Sequence, residues 1–450
     1  MTSYRRLSLV LGPVLLVLVA YCATVSVEPD PTPADWVDAV PIGNEQESFR
    51  PHVAMDPDGN AVAVWDEDEL RDTHEDIWSS RYTPTGEWSA PIRIRDTEGA
   101  ATYGRVSMDA EGNAVVVWHE SDETKTFSIW SNRYEATAGW GTAERLDTDN
   151  PGDALFPQVA MNAKGTAVAV WHQDENIWSN RYTPSTGTWD GAERIDEGGG
   201  NSALHPQVAI DAEGNAVAVW HEFDGSRFNI RSNRYQGTVG WGTAKRIVTD
   251  DAGDARFAQV AMDAEGNAVA VWHQYVGVGE GDNIWSNRYE IADGWGTAET
   301  IGADDAGDGR FPQVAANAEG NAIAVWELSH GTSVDIWSNQ YTPGGGWQSP
   351  ERIERNEGGS LKPKVAVDSA GNAVAVWTQY DGTFDSDNVW SNHYDAATAQ
   401  WGVARAIEDY DEGNAWTPQV AMDPNGNAIA VWVQGEAVTG QIWSNRLERP

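Results

Sequence analysis

Cysteine is nearly missing from this 450-residue chain: the single one, Cys22, stands at the end of an N-terminal apolar run, so no disulfide can staple the rest of the chain. Lysine is scarce too, confined to Lys125, Lys164, Lys245, Lys362 and Lys364, and 29 basic residues face 69 acids for a net charge of −40. So acidic a surface repels nucleic acid and anionic membranes, which excludes both as partners held by bulk charge. Phosphate loops, zinc signatures and nucleophile elbows are absent as well. With 69 acids spread along the chain, accidental carboxylate pairs are many, so no pair stands out as the acid and base of a glycosidase.

What is present begins with Arg5 and Arg6 ahead of an apolar stretch, Leu7–Ala20, about the length of a signal-peptide core and short for a membrane span. Export is therefore expected, with residues 1–22 as signal peptide, 23–35 as linker and 36–450 as one domain. Cys22 occupies the place of a lipidated cysteine, although Tyr21 fills the position where a lipobox has a small residue; ordinary cleavage between Ala20 and Ser26 is the alternative. The expected location is extracellular or in the cell envelope, with membrane contact only through such an anchor.

A repeat dominates the remaining sequence. A GNAVAVW-like core recurs with its tryptophan at Trp65, Trp118, Trp171, Trp220, Trp272, Trp326, Trp377 and Trp432, giving eight units of about 50 residues. An IWSNRY-like segment follows each core, and a WGTAERI-like segment follows that in all units but the last. Each unit reads as four short antiparallel strands, for example Gln158–Met161, Ala167–Gln173, Ile177–Tyr182 and Trp189–Ile195. Turns such as Asp56-Pro57-Asp58-Gly59-Asn60 fit a type I turn closed by a left-handed glycine, with no ion required.

The AVAVW strand is apolar on both faces, valines on one and alanines with tryptophan on the other, so it needs cover from both sides. These features predict an all-β fold: a single eight-bladed β-propeller, monomeric, with four antiparallel strands per blade. The segment missing from the last unit reappears as Trp36–Ile42, which predicts that the N-terminal strand completes the last blade beside Ile442–Arg446.

Gly266–Gln274 and Asn283–Tyr289 resemble a group of exported bacterial β-propeller repeat proteins carrying GNAxAVWxQ and NIWSNRY, and the likeness covers Trp36 to Leu447. More distantly the chain is similar to sialidase-type propellers, although their S-x-D-x-G-x-x-W box is not matched. The resemblance implies a propeller and an exterior location, without an assigned activity.

The segment joining core to second tryptophan varies in length while the opposite turns do not, which places a binding surface on the face of those loops. The most varied position of the repeat, just before the first strand, holds Arg50, Tyr103, Phe156, His205, Phe257, Phe311, Lys362 and Thr417. Tyr103, Phe156, His205, Phe257 and Phe311 are the candidate ligand residues, able to stack on a sugar or hold a peptide, with Gln173 and Gln274 as hydrogen-bonding partners. The bland alternative is that these rings plug gaps between blades.

Acidic inter-blade loops such as Thr148–Asp153 and Thr249–Asp254 are solvated loops or, alternatively, a calcium site; no other cofactor is expected. His119, His172, His221 and His273 follow the core tryptophan in adjacent blades but sit too far apart to share one metal. The NRY arginines are expected to pair with acids or backbone. The functional expectation is a non-enzymatic module binding an extracellular glycan or protein; a sialidase-like glycoside hydrolase and an envelope scaffold are the alternatives.

Overall fold

The computed structural model describes residues 35–449 apart from 69–74, 96–98, 123–124, 148–151, 199–200, 251–252, 278–280, 303–306, 332, 355–357, 381–386, 409–412 and 437–438. It is an all-β ring of eight antiparallel sheets, a β-propeller of eight blades. The third blade is typical: Ala154–Met161, Ala167–Gln173 and Asn176–Thr183 pair in order, and two short pieces, Thr188–Trp189 and Glu193–Arg194, share the outer edge. The fourth strand predicted as one segment is thus split in two. The first strand begins at Ala154 rather than Gln158, because its pairing continues on the far side of an irregularity between Leu155 and Gln158.

First strands of successive blades stand side by side around the central channel, and Glu47–Met55 of the first blade meets Asn414–Met422 of the last. Closure is as expected from the sequence. Asp35 and Trp36 pair with Glu448 and Leu447, and Val40 and Pro41 pair with Ser444 and Trp443. The Trp36 indole N–H also donates to Ser391 Oγ of the seventh blade at 2.8 Å.

The core lies between blades, divided into eight clusters, one per interface. In the cluster joining blades four and five, Val217 and Val219 pack on Ala268, Ala270 and Trp272. The valine face of one blade therefore covers the alanine-tryptophan face of the next. Every core tryptophan is fully buried. Each removes roughly 150–250 Å² from water, worth about 4–6 kcal/mol as an upper bound.

Polar staples join the same interfaces. The asparagine of the SNR segment donates to a main-chain carbonyl of the preceding blade, as Asn233 does to Ile195 at 2.8 Å and Asn445 to Ile407 at 2.7 Å. The NRY arginines engage rings as well as the acids expected of them. Arg133 lies 4.7 Å over the Tyr182 ring, Arg234 5.2 Å over Tyr289 and Arg446 5.7 Å over Tyr82, each reaching the next blade. Carboxylate contacts such as Arg446–Glu448 at 2.8 Å accompany rather than replace this stacking.

On the constant face the turn aspartates serve their own hairpins. Asp56 Oδ1 accepts the N–H groups of Asp58 and Asn60, Oδ2 accepts from the Asn60 amide, and Gly59 has φ +81°. That is the turn chemistry read from the sequence.

Candidate ligand site at the channel mouth

The first strand of every blade carries a β-bulge. In the third blade pairing with the second strand jumps from Leu155 to Gln158, so Phe156 and Pro157 are passed over. The first of the two bulged residues is always left-handed: Arg50, Tyr103, Phe156, His205, Phe257, Phe311, Lys362 and Thr417 have φ between +49° and +61°. The second is Pro51, Gly104, Pro157, Pro206, Ala258, Pro312, Pro363 or Pro418. Proline suits a place where the ladder needs no donor. The varied residues therefore sit inside the first strand, not ahead of it. The bulge interrupts the two-residue alternation by which a sequence delimits a strand.

These eight positions encircle the channel at the face carrying the inter-blade loops. Five of them touch in sequence. Ring centroids are 4.9 Å apart for Tyr103 and Phe156, 5.5 Å for Phe156 and His205, 5.1 Å for His205 and Phe257, and 5.6 Å for Phe257 and Phe311. The Arg50 guanidinium lies 4.7 Å over Tyr103 and extends the row. Contact across blades is what the gap-plugging alternative foresees. The rings nonetheless keep open faces: Phe311 is 45% exposed and the other four are partly exposed.

In five blades the residue after the core tryptophan holds the bulge of the next blade. The Phe156, Phe257 and Phe311 N–H groups donate to Nδ1 of His119, His221 and His273 at 3.2, 3.3 and 3.4 Å. Asp66 accepts from Tyr103 at 3.0 Å, and Glu327 accepts from Lys362 at 2.7 Å. An imidazole accepts only when neutral. Burial lowers His119 and His221 to about 3, and His172 and His273 to about 4, so all four are neutral near pH 7. Three of the four repeated histidines are thus bulge supports, a role invisible in the sequence because each partner lies in another blade. In the third blade His172 Nδ1 finds no such donor.

Gln173 and Gln274 lie deeper than the mouth. Both are buried, and their amide oxygens accept the indole N–H of Trp171 at 3.3 Å and Trp272 at 3.0 Å. Glu67, Glu120, Glu222, Gln379 and Gln434 do the same for their own blades. In the sixth blade Leu328 takes the position, and Trp326 Nε1 has no partner. The alternation of glutamine, glutamate and leucine is the signal in the sequence that marks these residues as indole caps.

Arg50 is the most heavily engaged cation of the mouth, at 2.5 Å from both Asp66 and Glu75. Burial raises the pKa of both carboxyls, opposed by Arg50. Cys22 lies outside the described residues, as do parts of the loops considered for calcium. Asp153 and Asp254, which end those loops, cap the third strand by accepting from the Phe127 and Phe228 N–H groups at 3.0 and 2.8 Å. No group of three or more His, Cys, Asp or Glu able to hold a metal ion occurs among the described residues.

No protein-family model and no curated protein matches the chain. Solved structures do. The Dos1 propeller aligns over 92% of this chain and 95% of its own at 8% identity and a TM-score of 0.54. An ulvan lyase, described as a new family of polysaccharide lyase, aligns over 90% and 95% at 10% identity and a TM-score of 0.52. The NanB sialidase of Streptococcus pneumoniae aligns over 90% and 69% at 10% identity and a TM-score of 0.39. At such identities the shared property is the fold: like the Dos1 domain, this chain is a β-propeller.

Proposed function

We propose that the chain is an exported or cell-surface binding module whose channel mouth holds an extracellular glycan. The observation that carries this reading is the unbroken row from Tyr103 to Phe311, five partly exposed rings in contact around one opening. Flat, half-open aromatic faces suit the apolar faces of sugar rings, and polar groups nearby serve hydroxyls. The signal-like N-terminus supports an exterior location. One structural neighbour, the lyase, is a polysaccharide-active protein, so the fold is one that can accommodate such ligands.

The test is a glycan array followed by titration of the best ligand into wild type and a Phe257→Ala/Phe311→Ala double variant. Loss of at least ten-fold in affinity with an unchanged circular-dichroism spectrum is expected. A blank array sinks the sugar reading and turns the search to protein partners from the cell envelope.

A hydrolytic reading has one observation in its favour, the Arg50, Asp66 and Glu75 cluster with its raised carboxyls beside the aromatic row. Incubation with sialosides and other glycosides decides it: released sugar, abolished by Glu75→Gln, would replace binding with catalysis.

A further inference from the structure

Inside the mouth the eightfold pattern breaks in one sector. Two residues past the left-handed position, five blades carry glutamine: Gln158, Gln207, Gln259, Gln313 and Gln419. The first, second and seventh carry His52, Arg105 and Lys364 in the same register, opposite the valine that precedes the core tryptophan. The bulge position changes over an overlapping arc, from aromatic rings in blades two to six to Lys362, Thr417 and Arg50 in blades seven, eight and one, with Arg105 standing beside Tyr103 at the edge of the aromatic row. The channel therefore has an aromatic wall facing a basic one. Two of the five lysines of the whole chain stand in that basic wall.

The inner two of these cations lack carboxylate partners. The Lys364 ammonium donates to Gln313 Oε1 at 2.9 Å, and the Arg105 guanidinium donates to the Gly104 carbonyl at 2.9 Å. Among the described residues neither forms an ion pair, although acids outnumber bases more than two to one. His52 Nδ1 accepts from the Val106 N–H at 3.4 Å. Burial and the Arg105 charge together bring Lys364 down to about 8. Burial, together with the charges of Arg105 and Lys364, holds His52 well below its ordinary value. Arg105 and Lys364, on blades two and seven, thus act on each other and on His52 within this sector. The Asp66 carboxylate, itself paired with Arg50, favours the Arg105 charge from nearby without a direct ion pair. Half-buried like charges without a paired carboxylate cost stability, and glutamine at the same register shows that the fold does not need them.

We propose that this sector is an anion site, and that its ligand is an acidic saccharide whose ring lies on the aromatic wall while its carboxylate or sulfate reaches Arg105 and Lys364. The saccharide part rests on the glycan reading; the anion site does not. The spacing fits, because two residues of strand separate bulge and cation level by about 7 Å, near the length of one sugar unit. A local basic patch in a strongly acidic protein also selects, since the remaining surface repels anions.

The experiment uses the full chain and the variant Arg105→Gln/Lys364→Gln, which restores the residue of the other five blades. Inorganic sulfate alone, titrated at low ionic strength against a chloride control, is expected to raise the melting temperature of wild type by several degrees more than that of the variant. Equal shifts in both overturn the anion site. Oligogalacturonate and a sulfated galactan oligosaccharide are then compared with neutral galactan. At least ten-fold tighter binding of one acidic sugar, lost in the variant, supports the proposal and identifies which anion is read. Equal binding of acidic and neutral sugars sinks it while leaving the glycan reading intact. Sulfate bound only by wild type, with no sugar bound, keeps the anion site and sinks the glycan reading. Should the double variant not fold, Lys364→Gln alone carries the same comparison.

Discussion

A buried polar atom has to find a partner, and in this protein most partners of buried side chains are supplied by repetition. The tryptophans are legible as core because they recur; their acceptors, two residues on, read as ligand groups because a glutamine on a strand end looks the same whether it faces indole or solvent. The histidines are harder still. His221 supports the Phe257 bulge of the following blade, 36 residues away, and only the folded ring buries it and keeps it neutral. Its pKa of about 3 lies below the ordinary 6.5, so the unfolded chain binds a proton that the folded one does not as pH falls between these values. Stability is present above pH 6.5 and lost on the way down. Between pH 7 and 5, wild type should lose roughly 1–2 kcal/mol more than His221→Gln, which keeps an acceptor without titrating. Urea unfolding of both proteins at the two pH values checks this, and parallel losses would contradict it.

At the level of the strand, the bulge is the element that makes the site. It turns one side chain per blade toward the mouth, and it does so with non-glycine residues in a conformation that glycine adopts far more readily. Phe257→Gly is therefore expected to be more stable than Phe257→Ala by about 1 kcal/mol, the reverse of the order on a regular strand. Differential scanning calorimetry on the two variants measures it; an alanine variant at or above the glycine one would show that the left-handed backbone stores no strain. Variation at this position is visible in the sequence, and so is its aromatic character. Its place within the strand is not, because a bulge shifts the alternation that strand reading depends on.

Taken as a whole molecule, the ring depends on a strand contributed from the other end of the chain. Asp35–Trp36 and Val40–Pro41 cover the edge of Thr439–Glu448, and Ile42 joins the cluster of Ile442, Ile429 and Val431 between the last and first blades. A chain beginning at Asn44 should expose that edge, unfold at least ~10 °C lower and associate in solution, as uncovered strands do. Melting curves with size-exclusion chromatography test this, and an unchanged monomer would show that the closing strand is dispensable.

The sequence by itself determined the repeat number, the antiparallel blade, the apolar faces that must be covered, the turn chemistry and the closing strand. Those follow from local pattern and from what one unit is unable to bury alone. Only the tertiary structure decided which side chains meet around the axis. Tyr103 and Phe311 belong to blades two and six, and Arg105 and Lys364 to blades two and seven, so their association depends on a ring geometry that brings residues more than two hundred positions apart into one opening. The basic wall opposite the aromatic one arises there, where register within each strand becomes height along a shared channel.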